Sequence, residues 1–415
     1  MELLLLSVFC IINILLLVIQ RKSFFNAANI VIGIYIIIAL LNNFFAVRLG
    51  FFAVSNKNLL LLLILYLYAI IIVIIRNQIV IHFHKNTMKL CQTKIKKSVL
   101  AILDDKITYK KISFIFLMAC IVRGIQILKI LKMSGIETLG KEIGLSGIPS
   151  HLFLMVYPLG AYLFYYGLKK KKLHAIILYN LGLVISFASF VKYHAIFYLA
   201  LTFLFCVFED KKLGEKLFVF FGIGIVSLFV GNYIIGFAVS GVTTYTIGDY
   251  VYRMWDYIAG SIINGNHCLN LGKYNTQYTS WDLMATSVFP ILNMLAKKIG
   301  IGNFEYKKFP LGFTIVSSKP STSNVAGLIY NITYTGSYLL LLLLFTLIIW
   351  TTQCAIKKIK ENNSNKLFYS MFITVNMMTF FANYYGLSTI WELLIWSYII
   401  PKLVFNKRVI LKYEL

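Results

Sequence analysis

Long apolar runs constrain this chain more than any other feature. Within a bilayer every backbone N–H and C=O must be satisfied inside the spanning segment, so a run of about 18 apolar residues becomes a helix. Such runs recur at roughly 2–20, 29–47, 58–75, 112–131, 151–168, 173–190, 194–208, 217–239, 325–352, 367–383 and 388–405. That predicts about 11 spans, the seventh short enough to dip into the membrane rather than cross it. The expected fold is an all-α polytopic membrane protein with one large outer loop. A composition of 59% hydrophobic and 13% charged residues excludes an ordinary soluble domain, which carries about 25% charged. A net charge of +25 would suit nucleic acid, but the basic residues lie in short loops between apolar runs. That is the pattern that orients membrane proteins, so the bilayer is the expected partner and nucleic acid is not.

Charge also sets the topology. One set of alternate segments (Arg21–Lys22, 76–111, Lys169–Lys172, 211–216, 357–366 and the carboxyl end) holds 26 Lys and Arg, against six in the short loops opposite. The basic side is therefore expected in the cytoplasm, with the amino terminus outside and the carboxyl terminus inside. The chain then divides into a membrane bundle at 1–240 with a basic cytoplasmic loop at 76–111, a large extracytoplasmic cap at 241–324, and a last group of three helices with a cytoplasmic tail at 325–415. Met1 to Gln20 lacks a basic n-region and a small-residue cleavage site, so it reads as a first span. The six cysteines have no paired spacing and no cysteine–histidine cluster has metal-ligand spacing. No disulfide framework and no metal site are expected.

Segment 241–324 is too rich in aromatic residues for disorder and too long for an idle connection. Its stretch DYVYRMWDYIAGSIINGNHCLN mixes aromatic rings with charges of both signs. Rings for stacking and planar polar groups for hydroxyls are what sugar binding needs. Arg253 could clamp a phosphate with both arms, and His267, Asp249, Asp256 or Asp282 could deprotonate a sugar hydroxyl. The bland alternative is an interfacial aromatic belt with ordinary ion pairs.

Three further places carry candidates. Arg123 lies inside an apolar run, where an arginine is costly unless it serves a partner or a cavity. With Lys129 and Lys132 it reads as a cationic stripe leading inward, suited to a pyrophosphate. Alternatively it snorkels or pairs with a buried acid such as Glu392. Lys192, Tyr193 and His194 fall at a hairpin tip, either as interface anchors or as an anion binder beside a proton carrier. Pro320 to Asn324 lead into an apolar helix that Ser321, Thr322 or Ser323 can cap.

This arrangement resembles the bacterial oligosaccharide repeat-unit polymerases, the Wzy-type O-antigen or capsule polymerases, which carry a large outer loop ahead of their last few helices. In that family the loop often ends in a Thr-Asn-hydrophobic stretch, then a tyrosine, then a glycine-bearing segment. Thr322, Ser323, Asn324, Val325, Tyr330 and Gly336 stand in that pattern. The chain departs from it where Ser323 splits Thr from Asn, where Thr335 replaces an acid, and where Val191-Lys192 replaces Ser-Arg. The resemblance implies a GT-C-like bundle in the bacterial cytoplasmic (inner) membrane. Its implied reaction moves a growing glycan from undecaprenyl pyrophosphate to another lipid-linked repeat unit, with no cofactor and no metal. The lipid-linked donor and acceptor are then partners, with the chain-length regulator and flippase of the same pathway. Arg123, Lys192, Arg253, Lys319, Asn324 and Tyr330 would bind substrate, and His194, His267 or Asp256 would take the proton. A flippase usually has shorter outer loops, and an O-antigen ligase shares layout and chemistry but differs in acceptor. A membrane acyltransferase would want a clearer histidine or acid inside a helix near its start, and, past Glu2 at the edge of the first, the first three spans have none.

Overall fold

The computed structural model describes residues 1–18, 25–87, 99–142, 147–189, 192–239, 246–272, 277–300, 302–319, 321–360 and 365–405. They are mostly helical. Among the described residues five helices are long and apolar enough to cross a membrane: Asn56–Ile79, Lys106–Gly135, Ile148–Lys170, Lys211–Gly231 and Tyr338–Ile359. Shorter apolar helices run over Glu2–Val18, Asn29–Phe44, Leu173–Ala188 and Tyr193–Glu209. The chain forms two compact units, one built from Met1–Lys89, Tyr252–Ile356 and Val375–Ile390, the other from Leu90–Val251, Lys357–Thr374 and Trp391–Leu415.

In the second unit, Ile148–Lys170 is the central span, with 78% of its apolar window buried, whereas Lys211–Gly231 is peripheral, with 17% buried. The peripheral helix shows Phe218, Val219, Phe220 and Ile223 on its surface, a face for hydrocarbon rather than water. Close packing at the centre depends on missing side chains. A Cβ at Gly160 or Gly182 would meet the buried Tyr198 ring or hydroxyl within 3 Å, so both glycines make the slot that Tyr198 fills. At the end of the bundle where the helices Ile148–Lys170 and Lys192–Glu209 finish, lysines meet acids: Lys169 with Asp210, Lys170 with Asp104 at 2.6 Å, and Lys366 with Glu209 at 3.0 Å. The Lys169 ammonium, helped by the Leu213 N–H and opposed by burial, holds the Asp210 carboxyl below its ordinary range.

Asparagines hold the first unit together. Asn13, Tyr66 and Asn29 close a ring of buried hydrogen bonds: Asn13 Nδ2 donates to Tyr66 at 2.9 Å, Tyr66 to Asn29 at 3.1 Å, and Asn29 back to Asn13 at 2.6 Å. Such a ring joins helices by pairing polar groups across apolar surroundings. Asn42, Asn58 and Asn266 then tie residues 42–58 to the helix Ile247–Leu271, through Trp255, the Ile262 carbonyl and the Ser55 N–H.

Segment 241–324 carries two helices, Ile247–Leu271 and Ser280–Lys298, followed by an extended stretch in which Thr314–Ile315 pairs antiparallel with Thr322–Ser323. Ser321, Thr322 and Ser323 therefore do not cap the next helix: its N-cap is Gly327, without a side-chain bond. Nor is the run 325–352 one helix. Leu328–Tyr334 ends before Gly336, which takes φ of 75°, and Tyr338–Lys360 starts afresh with the Ser337 hydroxyl accepting from the Leu340 N–H. A left-handed φ is easy for glycine alone, so hydropathy hides the break.

Candidate functional site

Arg123 sits in the second unit, 1% exposed. Its Nη1 donates to Gln126 at 2.7 Å and to Ser150 at 2.8 Å, and its Nη2 reaches Ser189 at 3.5 Å. The guanidinium lies 5.3 Å from the centre of the Phe153 ring. The Nε–H is buried with no hydrogen-bond partner among the described residues. These groups are neutral, so they satisfy donors without cancelling the charge, and a charge at low dielectric costs several kcal/mol unless something compensates it. Glu392, the acid considered for that role, is engaged elsewhere, by His151 and Trp396.

The cationic stripe does not form. Lys129 and Lys132 are exposed while Arg123 is buried. At about 100° per residue, positions six and nine further on point well away from it. The helix itself breaks at Gly135, with φ of 74°.

Next to Arg123, Phe153 meets Tyr157 edge-on, and the Tyr157 hydroxyl bonds His194 Nδ1. His194 is 2% exposed and stacks on Tyr193. The structure thus brings Arg123 and His194 into one buried cluster, but the histidine ring is enclosed rather than open at a tip. Lys192 opens its helix, and its side chain lies outside the described residues.

In the first unit Arg253 lies 3.7 Å from Asp256, one turn along its own helix, and donates to Ser321 at 3.3 Å. Its neighbour Tyr252 stacks on Phe51, with Lys319 4.7 Å from the Tyr252 ring centre. Arg253, Asp256 and Lys319 therefore form a polar and aromatic patch, in which the acid already has a cation. His267 is exposed on the same helix, but 14 residues from Arg253 is about 21 Å, so the two do not meet. Asn324 is exposed. Tyr330 is fully buried and donates to Asn58 at 2.9 Å, a packing role. Asp249 and Asp282 accept from Thr246 and Thr279 at the starts of their helices. The two Thr279 donors hold the Asp282 carboxyl below its ordinary range. Both acids are spent on helix ends.

One pair escaped the sequence reading. His151 Nδ1 lies 2.8 Å from Glu392 Oε2, and Trp396 Nε1 donates to the other oxygen at 3.1 Å. The signal was available as a histidine in the first turn of an apolar run and a lone acid inside another. What the sequence withholds is that residues 241 positions apart meet. The same unit holds an apolar cavity of about 520 Å³, lined by Phe164, Tyr179, Leu183, Leu199, Phe221 and Leu228 among others. Compared with protein-family models, curated proteins and solved structures, the chain finds no match.

Proposed function

We propose that this chain is a membrane glycosyltransferase that polymerises undecaprenyl-pyrophosphate-linked oligosaccharide repeat units, for O-antigen or capsule, on the outer face of the bacterial cytoplasmic membrane. The observation that carries the reading is Arg123. A buried guanidinium with neutral hydrogen-bond partners and an unused Nε–H keeps its charge for an anion brought by the substrate. Pyrophosphate is already a good leaving group, so the protein's main task is to stabilise the charge that develops on it. The cavity fits hydrocarbon, because its lining is apolar and the helix Lys211–Gly231 on its wall is itself apolar and little buried. Tyr252, Lys319 and Arg253 supply rings and donors of the kind that sugars use. In this reading about 11 helices span the membrane, with the amino terminus and segment 241–324 outside and the basic loops and carboxyl end inside.

The experiment is deletion with analysis of the envelope glycan. Loss of a polymerase leaves export and single-unit transfer intact, so the surface should carry one repeat unit in place of long chains. A flippase loss would trap units inside, and a ligase loss would leave long polymer on its lipid carrier. Long chains persisting on the surface would overturn the reading. Reporter fusions at Lys170 and Lys358 should read cytoplasmic and a fusion at Tyr274 external.

A further inference from the structure

We infer that His151, oriented by Glu392, is the proton acceptor of this glycosyl transfer, an inference that rests on the polymerase reading. An ionised carboxylate only accepts hydrogen bonds, so a histidine nitrogen 2.8 Å from Glu392 Oε2 must carry its proton. In the neutral imidazole that leaves the lone pair on Nε2. Trp396 occupies the other carboxylate oxygen and keeps the acid from turning. Exposure is divided to match, with the Glu392 side chain 13% exposed and the His151 side chain 43% exposed. The orienting acid is covered and the base is within reach of a substrate.

Position adds a second argument. The residue before His151 is Ser150, which accepts from Arg123 at 2.8 Å. One short helix, Ile148–Phe153, therefore carries the partner of the buried cation, the histidine, and the ring of Phe153 against the guanidinium. An anion stabiliser bonded to this short helix and a base borne on it are the two groups this transfer requires. His194 has the chemistry but is already engaged, since its ring stacks on Tyr193 and its Nδ1 is bonded to Tyr157.

The step balances without a cofactor. A hydroxyl oxygen of the acceptor sugar attacks the anomeric carbon of the donor glycan, and the bond from that carbon to the pyrophosphate oxygen breaks. The bonding pair leaves with undecaprenyl pyrophosphate, beside Arg123. The hydroxyl proton passes to His151 Nε2, and Glu392 opposes the charge of the resulting imidazolium until water removes the proton.

The test uses the full chain in proteoliposomes, with undecaprenyl-pyrophosphate-linked single units extracted from cells deleted for it. Release of undecaprenyl pyrophosphate and growth of the glycan ladder are followed together. His151→Ala should lower kcat by about 10²-fold or more while KM stays within about threefold, and added imidazole should restore part of kcat. Glu392→Gln should also lower kcat, because an amide no longer dictates the tautomer, and Glu392→Asp should recover part of the loss. His151→Gln is run alongside in case the alanine variant does not fold. If wild type turns over and a folded His151 variant keeps more than about a third of its kcat, His151 is not the base and the polymerase reading survives. If wild type does not turn over this lipid, the polymerase reading falls, and the role of His151 with it.

Discussion

Arg123 and Arg253 are the same residue placed under opposite electrostatic rules. Arg253 sits beside Asp256 with its side chain 32% exposed, so its charge is answered within its own helix and by water. Arg123 is 1% exposed and surrounded by Gln126, Ser150, Ser189 and the face of Phe153. Its donors are largely satisfied and its charge is not. An ion pair answers its own charge, whereas a buried cation among neutral partners is expensive to maintain unless function requires it. The difference separates a residue whose charge is answered by an acid on its own helix from one whose hydrogen-bond partners among the described residues are all neutral.

The strongest way to break this comparison is to remove the buried cation. Arg123→Ala should reduce polymer formation by about 10²–10³-fold at unchanged protein level, the range seen when a group stabilising transition-state charge is lost. Arg123→Lys should recover little, since lysine keeps the charge but not the fork that reaches Gln126 and Ser150 together. Glycan ladders from complemented deletion cells give the answer, and near-normal chain length in Arg123→Ala would return the residue to a structural role.

Ser150→Ala tests whether the neutral cage matters as well as the charge. One hydrogen bond to a charged group is worth about 1.5–3 kcal/mol, so a guanidinium freed to shift should cost roughly tenfold in rate. The loss should appear in kcat, because the serine positions Arg123 and does not itself meet the substrate in this reading. An effect confined to KM would place Ser150 among the binding groups instead.

Much of the helical layout was legible because hydropathy and length are local properties. The runs at 58–75, 112–131 and 151–168 lie within helices long and apolar enough to cross a membrane. Features that depend on one residue's backbone or on distant pairing were not legible. Gly336 splits an apolar run that reads as continuous. The Asn13–Tyr66–Asn29 ring looks in sequence like scattered polar interruptions. At the site, Arg123 stood out as an arginine in an apolar run, while its false companions Lys129 and Lys132 came from spacing taken without the helical angle. His151 was missed because its meaning lies in Glu392, and no local pattern joins them. Asp249 and Asp282 looked like free acids, although a threonine three residues earlier marks each as a capping residue.

Arg253 should behave differently from Arg123 under the same substitution. With Asp256 and Ser321 already on its Nη1, Arg253→Lys should keep activity within about threefold, the loss expected from weakening a partly exposed pair. Kinetics of the two lysine variants in proteoliposomes make the comparison direct. A collapse in Arg253→Lys equal to that in Arg123→Lys would mean that Asp256 gives way to a substrate phosphate, and the contrast between the two sites would disappear.

The smallest expected effect concerns pH, and it follows from the same contrast, because the cage of Arg123 contains no acid and segment 241–324 uses acids as local ties. Asp282 accepts from the Thr279 N–H and hydroxyl at 2.8 Å each, while the Thr279 hydroxyl accepts from the Asp282 N–H at 3.3 Å. Those bonds favour the ionised carboxylate and hold its folded pKa below the ordinary value. A group with a depressed folded pKa stabilises fully above its unfolded pKa of about 3.9 and loses that contribution as pH falls through the folded value. The helix Ser280–Lys298 should therefore loosen below about pH 4 by up to about 1 kcal/mol, the usual worth of such a cap. Amide exchange over 280–298, corrected for the intrinsic rate at pH 3 and pH 5, measures it. Asp282→Asn removes the titrating group, so its corrected protection should no longer change between the two pH values at this helix. Equal pH sensitivity in wild type and Asp282→Asn would assign the loosening to another acid.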